Sequence, residues 1–119
     1  VLETTTASDI PDTPENKKVC KVGNGAVVSF MDRGTIYNKD LYKRAREIAD
    51  KNGIANQTKT VVAGGNDASA IHKAAGGIKT VAVSLPCRYI HSASSVSTKK
   101  DMECVKDLAK ALLEEFANG

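Results

Sequence analysis

The 119-residue chain carries 17 Lys and Arg against 14 Asp and Glu, a formal charge of +3 with both signs interspersed, and has two Phe, three Tyr and no Trp. So weak a positive balance with so few stacking rings argues against a nucleic-acid surface, and apolar runs only a few residues long argue against a helical membrane span. Hydrophobic residues at 41% and charged residues at 26% are the mix of one globular domain with a real core.

The chain opens on "VLETTTASD", without Met and within a strand-like run rich in Val, Leu and Thr. We expect a piece of a longer protein on that ground. "SDIPDTPENKK" is a loop by its prolines and turn formers, and "GAVVSFMD" returns to strand composition. Asn38 is placed to cap a helix over 39–51, whose inner face is Leu41, Ala45, Ile48 and Ala49 and whose end is Asn52-Gly53.

A strand is expected near 58–63 in "QTKTVVA", followed by "GGNDASAIH". Asn66 can cap a short helix near 66–75 with Ala68, Ile71 and Ala75 turned inward, closed by Gly76-Gly77. "IKTVAVSL" predicts a central strand near 79–84, covered on both faces. The last helix, near 98–117, repeats Met102, Val105, Leu108, Ala109, Leu112, Leu113 and Phe116 at spacings of three and four, with Thr98 and Asp101 as an imperfect capping box. The order predicts an α/β fold, an αβα layered sandwich on a mixed, mostly parallel sheet. Ligands of such sheets sit beyond the carboxyl ends of the strands.

Three loops therefore hold the candidates: Glu3 and Asp9 at the first, Asn66 and Asp67 at the second, Arg88, Tyr89 and His91 at the third. Gly64 and Gly65 lack the Lys-Ser/Thr of a phosphate loop, so their simplest role is close backbone approach, with Asn66 as the cap. His72, on a short helix, reads as a packed structural group, whereas His91 in a polar loop is the better functional candidate. Cys20, Cys87 and Cys104 have no paired spacing and read as free thiols of a cytoplasmic protein. A Cys87–His91 nucleophile is disfavoured, because Pro86 and the apolar run before it suggest a buried thiol.

"ETTTASDIPDTP", "VVSFMDRGTI", "VVAGGNDASAIHKAAGGIKTVAVSLPCRYIHS" and the closing helix, in this order, resemble the tetrahedral aminopeptidases, family 42 of the metallopeptidases. The resemblance covers essentially the whole chain. It implies the C-terminal part of a catalytic domain that holds two divalent metal ions, zinc or cobalt, and removes N-terminal residues from peptides. It further implies a homo-oligomer, often a hollow tetrahedron of twelve subunits.

The family's metals are held by a histidine, a bridging aspartate, a glutamate, a further acid and a final histidine. By resemblance the further acid falls on Glu3, where many relatives have Asp, and the final histidine on His91. The other three ligands, and the glutamate that serves as general base, would precede Val1, so the chain alone is expected to be inactive and to lack the N-terminal half of its domain. Gly64, Gly65, Asn66 (usually Thr in the family), Asp67, Arg88 and Tyr89 fall on the active-site wall or beside the ligands, with His72 supporting that wall. The alternative is a free-standing α/β interaction module in which the same residues are structural. A glycosidase would need two carboxylates flanking a sugar bond, and the resemblance places no such pair.

Overall fold

The computed structural model describes residues 1–119. Its strands are β1 (Leu2–Thr6), β2 (Ala26–Ser29), β3 (Asn56–Thr58) and β4 (Ala82–Cys87); its α-helices are α1 (Lys39–Lys51), α2 (Ala68–Ile71) and α3 (Lys99–Asn118). The strands form one sheet in the order β1-β4-β2-β3. β1 with β4 and β2 with β3 are parallel pairs, and β2 meets β4 antiparallel. The fold is thus α/β on a mixed, mostly parallel sheet, as the element order implied. The central reversal has a consequence: the carboxyl ends of β1 and β4 lie at the opposite end from those of β2 and β3, so no single rim collects all the strand ends.

Helices α1 and α3 cover one face. Ala26, Val28 and Val83 of the sheet pack there against Ala45, Ile48, Ala49, Leu108 and Leu112. Each fully buried Val, Leu or Ile side chain stabilises the layer by roughly 1.5–3 kcal/mol. α1 starts where Asn38 Oδ1 accepts from the Leu41 amide at 2.9 Å, and it ends at Asn52, before Gly53 at φ +65°. α3 starts where Thr98 Oγ1 accepts from the Asp101 amide at 3.0 Å. The reciprocal half of that capping box is missing, because the Asp101 carboxylate is used elsewhere. Its two oxygens accept from the amides of Gly25 at 2.7 Å and Gly23 at 2.6 Å.

The opposite face is covered by two small clusters, Ala7, Cys20 and Val27 on one side and Tyr37, Ala68 and Ala82 on the other. The second layer of the sandwich is therefore built from loops and the four-residue α2. Three expected elements are shifted. β3 runs over Asn56–Thr58 instead of 58–63, because β2 ends at Ser29 and the chain after it turns back, with Met31 bridging Ile36, and the Thr60 amide turns instead to the Val19 carbonyl at 2.9 Å. β4 begins at Ala82 rather than 79, in register with β1 from Leu2↔Val83 to Thr6↔Cys87. The helix expected over 66–75 shrinks to Ala68–Ile71, with Ala75 at φ +47° breaking the turn that follows. Of its expected inner face only Ala68 is buried; Ile71 and Ala75 are exposed.

Candidate active site

Side chains alternate between the two faces of a strand, and partners in register share a face. Glu3 lies opposite Ser84, and Ser84 opposite Val27. Ser29 pairs with Ala82, two residues along both strands, and so shares that face. Lys59 follows β3 and ties its amide to the Val28 carbonyl at 3.1 Å. Glu3, Ser84, Ser29 and Lys59 thus form a row across all four strands on the face away from α1 and α3. This row floors a cavity of about 190 Å³ between the two small clusters, walled by Gly64, Gly65 and Asn66 on one side and Ile90 and His91 on the other. A shallower recess of about 500 Å³ continues from Glu3, Gly65 and His91 towards Ser95 and Ser97. A cavity of about 600 Å³ between the C-terminal ends of α1 and α3 is lined by exposed surface charges such as Arg44, Glu47 and Glu115, with no buried polar group converging on it.

The Gly64–Asn66 wall is held from below by the turn after β2. The Arg33 amide donates to the Gly64 carbonyl at 2.9 Å, and a Cβ on Gly34 would stand 2.7 Å from Ser69 Cβ, so the two loops touch directly. Asn66 uses both ends of its amide: Oδ1 accepts from the Ala68 amide at 2.9 Å and Nδ2 donates to the Tyr37 hydroxyl at 3.0 Å. The cap expected of Asn66 is displaced: Asp67 holds the N-cap position of α2 without a side-chain bond, and Asn66 closes a turn one residue before it. Tyr37 in turn donates to Asp32 Oδ2 at 2.5 Å, while Asp32 Oδ1 accepts from the Gly34 amide at 2.8 Å. Burial, and then the bond to Asp32, push the Tyr37 phenol above its ordinary range, so it stays a neutral donor.

The His91 wall is held by Arg88. Its Nε and one terminal nitrogen donate to the two oxygens of Asp9 at 2.8 and 2.9 Å, and Asp9 Oδ2 also accepts from the Val22 amide at 2.9 Å. The Arg88 bond, reinforced by the Val22 amide, holds the Asp9 carboxyl below the usual aspartate range against the opposing cost of burial. Around this pair, Ser8, Tyr89 and His91 have φ of 58°, 59° and 66°. L residues enter that left-handed region at a cost and cluster there mainly at functional sites.

The structure brings together Glu3, Gly64, Gly65, Asn66 and His91 from among the sequence candidates. Asp67 is exposed and does not line the cavity, Arg88 is turned to Asp9, and Tyr89 is 55% exposed outside it. His72 sits at the end of α2, with Nδ1 2.7 Å from the Ala68 carbonyl. Cys87 is buried and donates weakly to the Arg88 carbonyl; it has no contact with His91 that could activate it. Cys20 is likewise buried, and burial pushes its thiol up to about 12. Sequence reading missed Lys59, Ser29 and Ser84. Lys59 was legible in principle, as a charge in a strand-like stretch two positions after Gln57 and so on the same face.

Glu3 and His91 offer a carboxylate and an imidazole, donors suited in kind to zinc or cobalt. In number they fall short, for nowhere do three or more His, Cys, Asp or Glu side chains group in a way that could hold a metal ion. Known proteins extend this picture. The description M42 glutamyl aminopeptidase belongs to a family model that matches residues 1–108. The lysyl aminopeptidase of Pyrococcus furiosus is 35% identical over 103 residues, covering 86% of this chain and 29% of the relative. The solved aminopeptidase APDkam598 of the archaeon Desulfurococcus kamchatkensis superposes with a TM-score of 0.92 at 31% identity, over 96% of this chain and 33% of its own. For the Pyrococcus horikoshii TET1 peptidase the TM-score is 0.75 at 34% identity, over 93% of this chain and 32% of its own. The chain thus spans about a third of the length of the relatives it matches. The GGND wall, the RYIHS loop and the strand bearing Glu3 lie within the matched residues, and the chain belongs to the M42 glutamyl aminopeptidase family.

Proposed function

We propose that this chain forms part of the active site of a metal-dependent aminopeptidase that cleaves the N-terminal residue from peptides. The observation that carries the proposal is the meeting of Glu3 and His91, 88 positions apart in the sequence, at one cavity walled by Gly64, Gly65 and Asn66. Glu3 and His91 are the residues that would hold metal. Zinc or cobalt bound there would polarise the scissile carbonyl and supply a metal-activated water. The chain's own contribution is positional. Asp9 and Arg88 fix the loop that presents His91, and the Asp32–Tyr37–Asn66 chain fixes the opposite wall.

Two donors are fewer than the three protein ligands that catalytic zinc commonly needs. The remaining ligands and the general base belong, on this proposal, to the part of the relatives' domain that this chain does not span. The relatives support a homo-oligomer, since the Pyrococcus horikoshii TET1 peptidase assembles into a tetrahedron or a large octahedral shell. Three free thiols support a reducing cytoplasmic setting.

Two measurements test this. The complete gene product, loaded with zinc or cobalt, should release N-terminal residues from short peptides and lose that activity to a chelator. The 119-residue chain alone should show neither turnover nor tight zinc binding by calorimetry. Two tight zinc ions on the isolated chain, or a complete product unable to cleave any peptide, would sink the proposal.

A further inference from the structure

Lys59 is only 6% exposed, yet it forms no ion pair. Lysines are almost never so buried unless paired, so its place asks for another cause. Its ammonium donates to the Ala63 carbonyl, four residues on. Its own amide donates to the Val28 carbonyl at 3.1 Å, which fixes the base of the side chain to the sheet. Burial draws the Lys59 pKa below the ordinary lysine value, and the Asp32 carboxylate opposes that shift.

Between this base and the Gly64–Asn66 wall the chain has no other support. Residues 61–63 lie outside every strand and helix, and the bond from Lys59 is the only hydrogen bond their backbone makes. Before them the Thr60 amide is held by the Val19 carbonyl, and after them the Gly64 carbonyl is held by the Arg33 amide. Gly64, at φ +61°, then turns the chain into the wall. Lys59 and Ala63 both line the cavity, so their bond closes the corner where floor meets wall. A charged donor makes the stronger kind of hydrogen bond.

We infer that Lys59 is a positioning residue of the aminopeptidase site, clasping the Ala63 carbonyl and so setting the Gly64–Asn66 wall against Glu3 and His91. The inference rests on the aminopeptidase reading above and adds to it a residue that acts through the wall. A lysine that served the fold alone would change the folded fraction and leave the rate of each folded molecule untouched. A lysine that bound substrate would discriminate by substrate charge. The clasp acts on every substrate alike, because the wall bounds the cavity whatever enters it.

The test measures kcat and KM of the metal-loaded complete gene product on glutamyl-, leucyl- and lysyl-p-nitroanilide, for the wild type, K59M and K59R, with K79M as an exposed control. K59M should lower kcat per folded molecule by at least about tenfold on every substrate the wild type cleaves, with metal content and KM near wild type. K59R, whose guanidinium can donate to the same carbonyl, should turn over faster than K59M. Hydrogen exchange at the Arg33 and Ala68 amides, which donate to Gly64 and Asn66, should be at least about tenfold faster in K59M. Should K59M not fold, K59Q carries the same expectations. A folded variant with wild-type kcat, a loss confined to substrates of one charge, a K59R as slow as K59M, or unchanged exchange at Arg33 and Ala68 overturns the inference. If the wild type cleaves no substrate, the aminopeptidase reading fails, and the exchange measurement still judges the clasp.

Discussion

Asp9 and Arg88 are 79 positions apart in sequence, yet two N–H···O bonds of 2.8 and 2.9 Å join them. They stand on the loops that leave β1 and β4, the neighbouring strands in register from Leu2↔Val83 to Thr6↔Cys87. The pair therefore ties the strand that carries Glu3 to the loop that carries His91. A planar guanidinium suits this double bond, and lysine cannot reproduce it.

Asp9→Asn and Arg88→Lys should each loosen the His91 loop while leaving the sheet intact. In the complete gene product, metal retention and turnover should fall by about 10–100-fold, the scale for groups that orient metal ligands. Metal analysis and circular dichroism on the same samples check this. Unchanged metal retention in both variants would show that the pair does not act on His91. The Arg88 bond holds the native Asp9 carboxyl below the ordinary aspartate range, so the clamp's contribution to stability is complete above that range. It is lost as the pH falls through the depressed native value. In Asp9→Asn this acid-dependent component of the melting temperature should disappear.

A second buried carboxylate gives a prediction about the fold alone. Asp101 is fully buried and accepts from the Gly23 and Gly25 amides, joining the start of α3 to the approach to β2. Asp101→Ala leaves two amides without an acceptor, at about 1–3 kcal/mol each. Gly25→Ala should be at least as damaging, because Gly25 has φ +88° and an added Cβ would lie 2.0 Å from the Ala55 carbonyl oxygen. Thermal melts of both variants, with Asp40→Ala as an exposed control, measure the difference.

These cases mark what the sequence disclosed. Asn38, Asn52-Gly53, Thr98 and the inner faces of α1 and α3 were legible because their partners lie within a turn of helix. Asp101 was legible only as a cap, since its true partners are 76 and 78 residues away. β3 was placed too late, at 58–63 for Asn56–Thr58, because the composition stays strand-like after β2 has ended. α2 was drawn too long because Ala and Ile at helical spacing say nothing of Ala75 at φ +47°. At the site, motif resemblance picked out Glu3 and His91, which line one cavity. It did not disclose Lys59, which joins that cavity only because the sheet brings the end of β3 beside Ser29.

The edge of the sheet carries a further prediction. β1 pairs only with β4, and at this edge Leu2 and Met102 are 60% and 58% exposed. Leu2, Leu85, Met102 and Val105 line one apolar recess there. An open strand edge beside apolar surface favours pairing with another chain. The isolated chain should self-associate as its concentration rises, and Leu2→Lys with Met102→Lys should suppress that. Sedimentation that shows a clean monomer at high concentration would count against it.

The two histidines should separate in the complete gene product. His91 lines the cavity from a strained loop position, whereas His72 lies at the end of α2 with Nδ1 2.7 Å from the Ala68 carbonyl and no place in the cavity lining. His91→Ala removes a donor, so metal content and turnover should collapse together while the melting temperature without metal stays near wild type. His72→Ala removes one partly exposed hydrogen bond within a short helix, a loss of about 0.5–1.5 kcal/mol. Its metal content and turnover per folded molecule should remain close to wild type. The cost stays small because α2 already rests on Ala68, which is fully buried against Tyr37 and Ala82. Metal content, melting temperature and peptide turnover measured side by side decide the matter. A His91→Ala variant that keeps its metal and near-normal turnover would remove His91 from the proposed metal site, leaving the Glu3 carboxylate alone to carry that proposal.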